Sequence, residues 1–235
     1  MDKVMGLVIR TTDVGESDRL VTLLTPDHGK VTVKVRSCRT AKSKLRYAAQ
    51  LFCLGEYQLA ESRAGHVVIG CDTVDGFAAL GTDPDAYMGA CVVVEASERL
   101  AVEGMADADL FVRALHALKA LAYDGKPLLA SVHWLWQVLA MAGHRPSVPV
   151  EGEDCLWVDY YGCAIWEEEK ERAVRLSAEV TRAVRALALD REIADEVLPE
   201  VFALLGRLLW LGAGMTLSSV KTMATMLLPH SGARA

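Results

Sequence analysis

The chain has 235 residues, 52% of them hydrophobic and 24% charged, with a mean hydropathy of +0.22. That is enough apolar matter for a core and excludes a disordered chain. The formal net charge of -6 is divided unevenly: residues 1–80 carry 11 Lys/Arg against 9 Asp/Glu, and residues 81–235 carry 14 against 22. A change of character near residue 80 is expected. The cysteines at 38, 53, 71, 91, 155 and 163 form no Cys-x-x-Cys pair, and Met-Asp-Lys opens the chain without a signal-peptide pattern. Reduced thiols and a cytoplasmic, nucleoid-associated location are expected.

The first 75 residues alternate with period two between turn residues. Strands are expected at Val4–Thr11, Arg19–Thr25, Lys30–Arg36, Gln50–Leu59 and His66–Val74. Turns fall at Asp13–Ser17, Pro26–Gly29 and Ser62–Gly65. Five short strands in this span suit a small closed barrel. From Asp83 the period becomes helical. Helices are expected from Pro84 to about Val102, over Asp107–Tyr123 and over Pro127–Gly143. Pro127–His144 is an uncharged run of 18 residues. Ser131, His133 and Gln137 within it, and the lack of basic flanks, favour a buried helix over a membrane span. Pro146–Trp166 reads as irregular, Glu167–Leu189 as a charged helix, and Asp195–Leu211 and Leu217–Leu228 as closing helices. The expected fold class is α+β: a five-stranded OB-fold barrel at about 1–80, then an all-α domain at about 81–235.

One segment stands out against the acidic background. Lys30, Lys34, Arg36, Arg39, Lys42, Lys44 and Arg46 follow one another with no Asp or Glu between Asp27 and Glu56. On the third strand, Val31, Val33 and Val35 would enter the barrel, leaving Lys30, Lys34 and Arg36 outside. Such a stripe neutralises several phosphates at once, so nucleic acid is the first candidate partner; a solvated basic loop is the plainer reading. Tyr47, beside Arg46, offers a surface on which a base can stack, whereas Phe52 is expected in the core. With so few aromatics, contacts would favour phosphate over base identity.

Other constellations read as structure. Arg10, Asp13, Glu16, Asp18 and Arg19 suggest a surface ion-pair network at the first hairpin. Cys155, Cys163 and His144 supply three potential ligands, one short of a usual structural zinc site, so no metal is expected. No P-loop, HExxH, GxSxG or GxGxxG motif occurs, so a binding protein rather than an enzyme is expected, with no cofactor. Lys119, Lys126 and Arg145 border apolar helices, where ordinary solvated charge or contact with an acidic tail both fit.

The stretch GLVIRTTDVGESDRLVTLLTPDHGKVTVKVRSCRTAKSKLRYAAQLF strongly resembles the amino-terminal domain of the bacterial RecO family of recombination mediators. The resemblance rests on the Gly-Glu-Ser-Asp turn at 15–18, Leu-Leu-Thr at 23–25 and His-Gly-Lys at 28–30. Lys-Ser-Lys-Leu at 42–45 and Gln-x-Phe at 50–52 complete it. WLWQVLAMAGHRP at 134–146 and LLWLGAGMTLSSVKTM at 208–223 resemble later family segments more loosely. Many members carry a four-cysteine zinc module after the Gly-x-x-Pro turn. Here Cys155 and Cys163 alone stand there, so residues 146–166 occupy a degenerate zinc-module position and zinc is not carried over. Ser37, Thr40 and Ala41 replace what are often Gly, Arg and Pro, which implies a less basic, more flexible loop.

The resemblance implies a non-enzymatic DNA-repair mediator that binds single- and double-stranded DNA and anneals complementary strands. Its implied partners are RecR and the tail of the single-strand-binding protein, and through them RecA, with no membrane. The implied nucleic-acid contacts are Lys30, Lys34, Arg36, Arg39, Lys42, Lys44, Arg46 and Tyr47. A generic OB-fold binder of nucleic acid, RNA included, and a protein adaptor with a basic docking loop are the alternatives.

Overall fold

The computed structural model describes residues 2–63, 65–146, 148, 157–159 and 173–228. The chain divides into two compact units, Met1–Gly125 and Lys126–Ala235.

The first unit opens with five strands: β1 (Asp2–Val14), β2 (Asp18–Thr25), β3 (Gly29–Val35), β4 (Leu54–Ser62) and β5 (Gly65–Asp75). They close into a barrel in the order β1-β2-β3-β5-β4. Closure depends on a parallel pairing of β3 with β5, Val33 opposite His66 and Lys34 opposite Val67. The other neighbours are antiparallel. Alternation explains the interior: Val4, Val8, Val21, Leu23, Val33, Val35, Tyr57, Leu59 and Val68 form one buried cluster. This is the expected OB-type barrel followed by helices.

One boundary differs from expectation. The fourth strand begins at Leu54 rather than Gln50, because residues 36–53 form successive turns. Phe52 sits at φ 71, a left-handed conformation that a strand does not admit. Phe52 is buried and meets Tyr87 edge-on, ring centroids 5.5 Å apart.

Two helices complete this unit, α1 (Pro84–Leu100) and α2 (Ala108–Tyr123). Asp83 caps α1 by accepting from the Asp85 and Ala86 amides, with Pro84 in the first turn; Asp107 caps α2 through the Leu110 amide. Both helices lie in the unit that holds the barrel, past the residue-80 change of composition. Helix α1 is tied to β1 by Arg10, which donates to Glu98 at 2.8 Å. Gly29, at φ 60, lets the β2–β3 turn approach the chain after α1.

The second unit contains α3 (Pro127–Met141), a strand pair β6 (Trp157–Asp159) with β7 (Ala173–Arg175), and helices α4 (Ala178–Ala188), α5 (Leu198–Ala213) and α6 (Ser218–Leu227). Helix α3 is apolar nearly all round and packs on α5, whose Val201, Phe202 and Leu205 are fully buried. Residues 195–197 are a 3-10 turn leading into α5, which ends at Gly214 with φ 62.

The charged helix expected from Glu167 starts later. Residues 173–175 are extended and pair with 157–159. Ser177, itself extended, then caps α4 by accepting from the Val180 amide at 3.2 Å. Glu167–Arg172, Cys155 and Cys163 lie outside the described residues. Among the described residues, no helix is long and apolar enough to cross a membrane.

Candidate nucleic-acid interface

The basic segment spans β3 and the turns that follow it. Its foundation is the barrel core. Cys38, Ala48 and Ala49 are buried, and Leu45 and Leu51 pack partly against the same cluster. Burying Leu45 leaves its neighbours Lys44 and Arg46 exposed. Hydrogen bonds tie the segment down at both ends. The Arg39 amide donates to the Ser17 carbonyl at 3.0 Å, and the Ser37 amide to Asp18 Oδ1 at 2.8 Å. At the far end, Arg19 Nη1 reaches the Ala49 carbonyl at 2.9 Å and Tyr57 Oη donates to the Ala48 carbonyl at 2.8 Å. The Phe52 amide donates to the Val8 carbonyl, and the Val8 amide to that of Cys53. The segment is therefore stapled to the barrel despite the absence of a proline in it.

The seven cations fall into three groups. Lys30, at the start of β3, donates to the Glu98 carbonyl of α1 at 3.1 Å and serves the end of that helix. Lys34 pairs with Asp18 at 2.9 Å, and Arg39 with Asp13 at 3.4 Å while also donating to the Gly15 carbonyl at 3.2 Å. Arg36, Lys42, Lys44 and Arg46 are exposed, and among the described residues they make no ion pair. Tyr47 is 71% exposed, an aromatic face open to solvent beside Arg46.

The first hairpin carries an ion-pair network, as expected, but not every expected residue joins it. Arg19 pairs with Asp13 at 2.8 Å, while Arg10 leaves the turn for Glu98. Glu16 is exposed and unpaired among the described residues. The hydrogen bond from Arg19 holds the Asp13 carboxyl below its ordinary range, with Arg39 adding to the effect. Asp18 is lowered chiefly by the Ser37 amide and then by Lys34. Sequence reading missed that both carboxylates reach into the basic segment, since the partners are 16–26 residues away. It also passed over Arg63, exposed on the β4–β5 turn. That turn leads into β5, which runs beside the β3 residues Val33 and Lys34. A lone cation well past the basic run carries no sequence signal.

The thiols of this unit are quiet. Burial raises Cys38 and Cys53, and raises Cys71 to about 11, which keeps them protonated.

The second unit holds a separate feature, a groove of about 460 Å³ between α5 and α6. Leu209, Trp210, Met215, Leu217 and Val220 supply apolar walls, with Arg207 and Lys221 exposed beside them. Lys119 and Lys126 are exposed, and Arg145 lies over the Trp136 ring at 4.7 Å.

Comparison with known proteins agrees with the barrel fold. Residues 1–77 match the family model described as recombination protein O N terminal. A DNA repair protein RecO of Dehalococcoides mccartyi is 30% identical over 146 residues, 62% of this chain and 58% of its own. One of Desulfitobacterium hafniense is 32% identical over 150 residues, 64% of this chain and 54% of its own. The chain thus matches a little over half the length of these relatives. With the barrel, its basic segment and its β3–β5 closure in view, residues 1–77 resemble the recombination protein O amino-terminal domain, on a chain similar to the DNA repair proteins RecO.

Proposed function

We propose that this protein is a DNA-binding recombination mediator in DNA repair that works without enzymatic chemistry. Its barrel holds single- and double-stranded DNA through phosphate contacts from Arg36, Lys42, Lys44 and Arg46, with Lys34 and Arg39 behind them. Tyr47 stacks on an exposed base. The single observation carrying this reading is the cluster of four exposed cations, unpaired among the described residues, on a segment stapled to an OB-type barrel. Annealing two strands requires their phosphate repulsion to be screened, and a multivalent basic face does that without reading sequence.

The proposed partners are those that the sequence resemblance implies, and the α5–α6 groove offers one of them a place to dock. RecR and the single-strand-binding protein act with this chain to load RecA onto gapped DNA. The acidic tail of the single-strand-binding protein enters the α5–α6 groove, where Arg207 and Lys221 meet its carboxylates and Trp210 its apolar side chains.

The test is fluorescence anisotropy of a labelled single-stranded oligonucleotide against salt. Four unpaired cations predict a log–log slope of about -3, at about 0.7 per contact. Changing Arg36, Lys42, Lys44 and Arg46 to Glu should abolish both affinity and slope. A variant that binds like wild type would remove the basic segment from the DNA site.

A further inference from the structure

From the ion pairs across the first hairpin we infer that Asp13 and Asp18 are built-in competitors of phosphate: Asp18 holds Lys34 neutralised, Asp13, its charge shared with Arg19, partly neutralises Arg39, and together they restrain DNA affinity in the free protein. This rests on the reading of the basic segment as the DNA site. Both acids sit on β1 or β2 beside the turn, yet each reaches a cation of that segment, Asp18 to Lys34 at 2.9 Å and Asp13 to Arg39 at 3.4 Å. Both also position the segment. Asp18 accepts the Ser37 amide at 2.8 Å, and Asp13 holds Arg19, whose other nitrogen reaches the Ala49 carbonyl. Two carboxylates thus do the orienting of the loop and simultaneously occupy the cations nearest to it.

The consequence follows from counterion bookkeeping. A phosphate that takes Lys34 from Asp18 releases a cation from the DNA, but the freed carboxylate acquires one from solution. The net release from that contact is close to zero. Lys34 and Arg39 therefore add little to the salt slope, and the four unpaired cations set it. The Arg39–Asp13 pair is exposed and the Lys34–Asp18 pair is half-buried at the surface, so displacing each one costs only a modest factor in affinity. The restraint is strongest against ligands of low charge density, such as isolated carboxylates. It is most easily overcome by the closely spaced phosphates of a nucleic acid strand.

The experiment compares wild type with Asp18→Asn, Asp13→Asn and the double variant, using the same oligonucleotide titrations. Asn keeps an oxygen for the Ser37 amide or for Arg19 and removes the charge. Each single change should tighten binding roughly two- to fivefold, and the double change roughly tenfold. Each should steepen the slope by about 0.7. Glu16→Gln is the control, since it removes one charge from the same turn without releasing an interface cation. If Glu16→Gln tightens binding as much as Asp18→Asn, the effect is net charge and the inference fails. Unchanged slopes in all the Asn variants would also overturn it, as would weakened binding by variants whose unfolding midpoints match wild type. If the double variant fails to fold, the singles decide. The DNA-site reading is tested separately by the four Glu substitutions, so loss of binding there with unchanged slopes here would sink this inference alone.

Discussion

The Tyr57 hydroxyl, inside the barrel, donates to the carbonyl of Ala48, in the basic segment, at 2.8 Å. Core and basic segment are thereby one structure: the ring fills the interior and its polar end fixes the returning limb of the loop. Burial raises the Tyr57 pKa far above its ordinary value, so the hydroxyl stays a donor at every working pH. Tyr57→Phe leaves the Ala48 carbonyl without this partner and should cost about 1–3 kcal/mol in urea unfolding. A change below the error of the unfolding fit would show that the bond contributes nothing net.

Gly29 combines a left-handed φ of 60 with a backbone approach to the segment after α1. A Cβ there would collide with the carbonyl oxygens of Val102 and Met105. Gly29→Ala should therefore destabilise the first unit by more than about 1 kcal/mol, a larger effect than an ordinary turn glycine shows. Gly15→Ala is the comparison, because it too has positive φ, at 59, but meets nothing within 4 Å. Equal losses at the two sites would refute the steric account.

Tyr47 separates stacking from charge. Tyr47→Ala should weaken binding of single-stranded DNA by about 1–3 kcal/mol for each base stacked on it, with no change in salt slope. A change in slope with unchanged affinity at low salt would contradict a stacking role.

His133 on α3 titrates against stability. Burial lowers its pKa, only partly offset by Asp190. The unfolded chain therefore binds the proton more tightly. The contribution is complete above about pH 6.5, and is lost as pH falls through the depressed folded value. The urea midpoint should drop between about pH 7.5 and about pH 5.5, and His133→Gln should flatten that drop. An unaltered pH profile in the variant would assign the effect to other groups.

In the second unit, Arg207→Glu with Lys221→Glu should weaken binding of an acidic, apolar-ended peptide roughly tenfold, reading each exposed cation as worth under about 1 kcal/mol. DNA binding by the barrel should not change. Isothermal titration with the peptide and anisotropy with the oligonucleotide report on the two separately.

Strand period and turn residues were legible because one face of each strand is buried and a one-residue slip would invert it. Val33 and Val35 on β3 and the starts of α1 at Pro84 and of α2 near Asp107 follow from local rules of this kind. Two boundaries were not legible. Phe52 takes a left-handed backbone and its buried ring meets Tyr87, a contact distant in the chain, and Ser177 rather than Glu167 caps a helix after residues 173–175 pair as a strand. Local patterning alone specifies a β-barrel bearing a concentrated run of cations. Which of those cations face solvent unpaired was decided only by tertiary structure. Lys30 went to a helix end, Lys34 and Arg39 to carboxylates, and Arg36, Lys42, Lys44 and Arg46 stayed exposed. The reason is physical: an ion pair depends on distance in space, and barrel closure sets the distances between residues far apart in the chain.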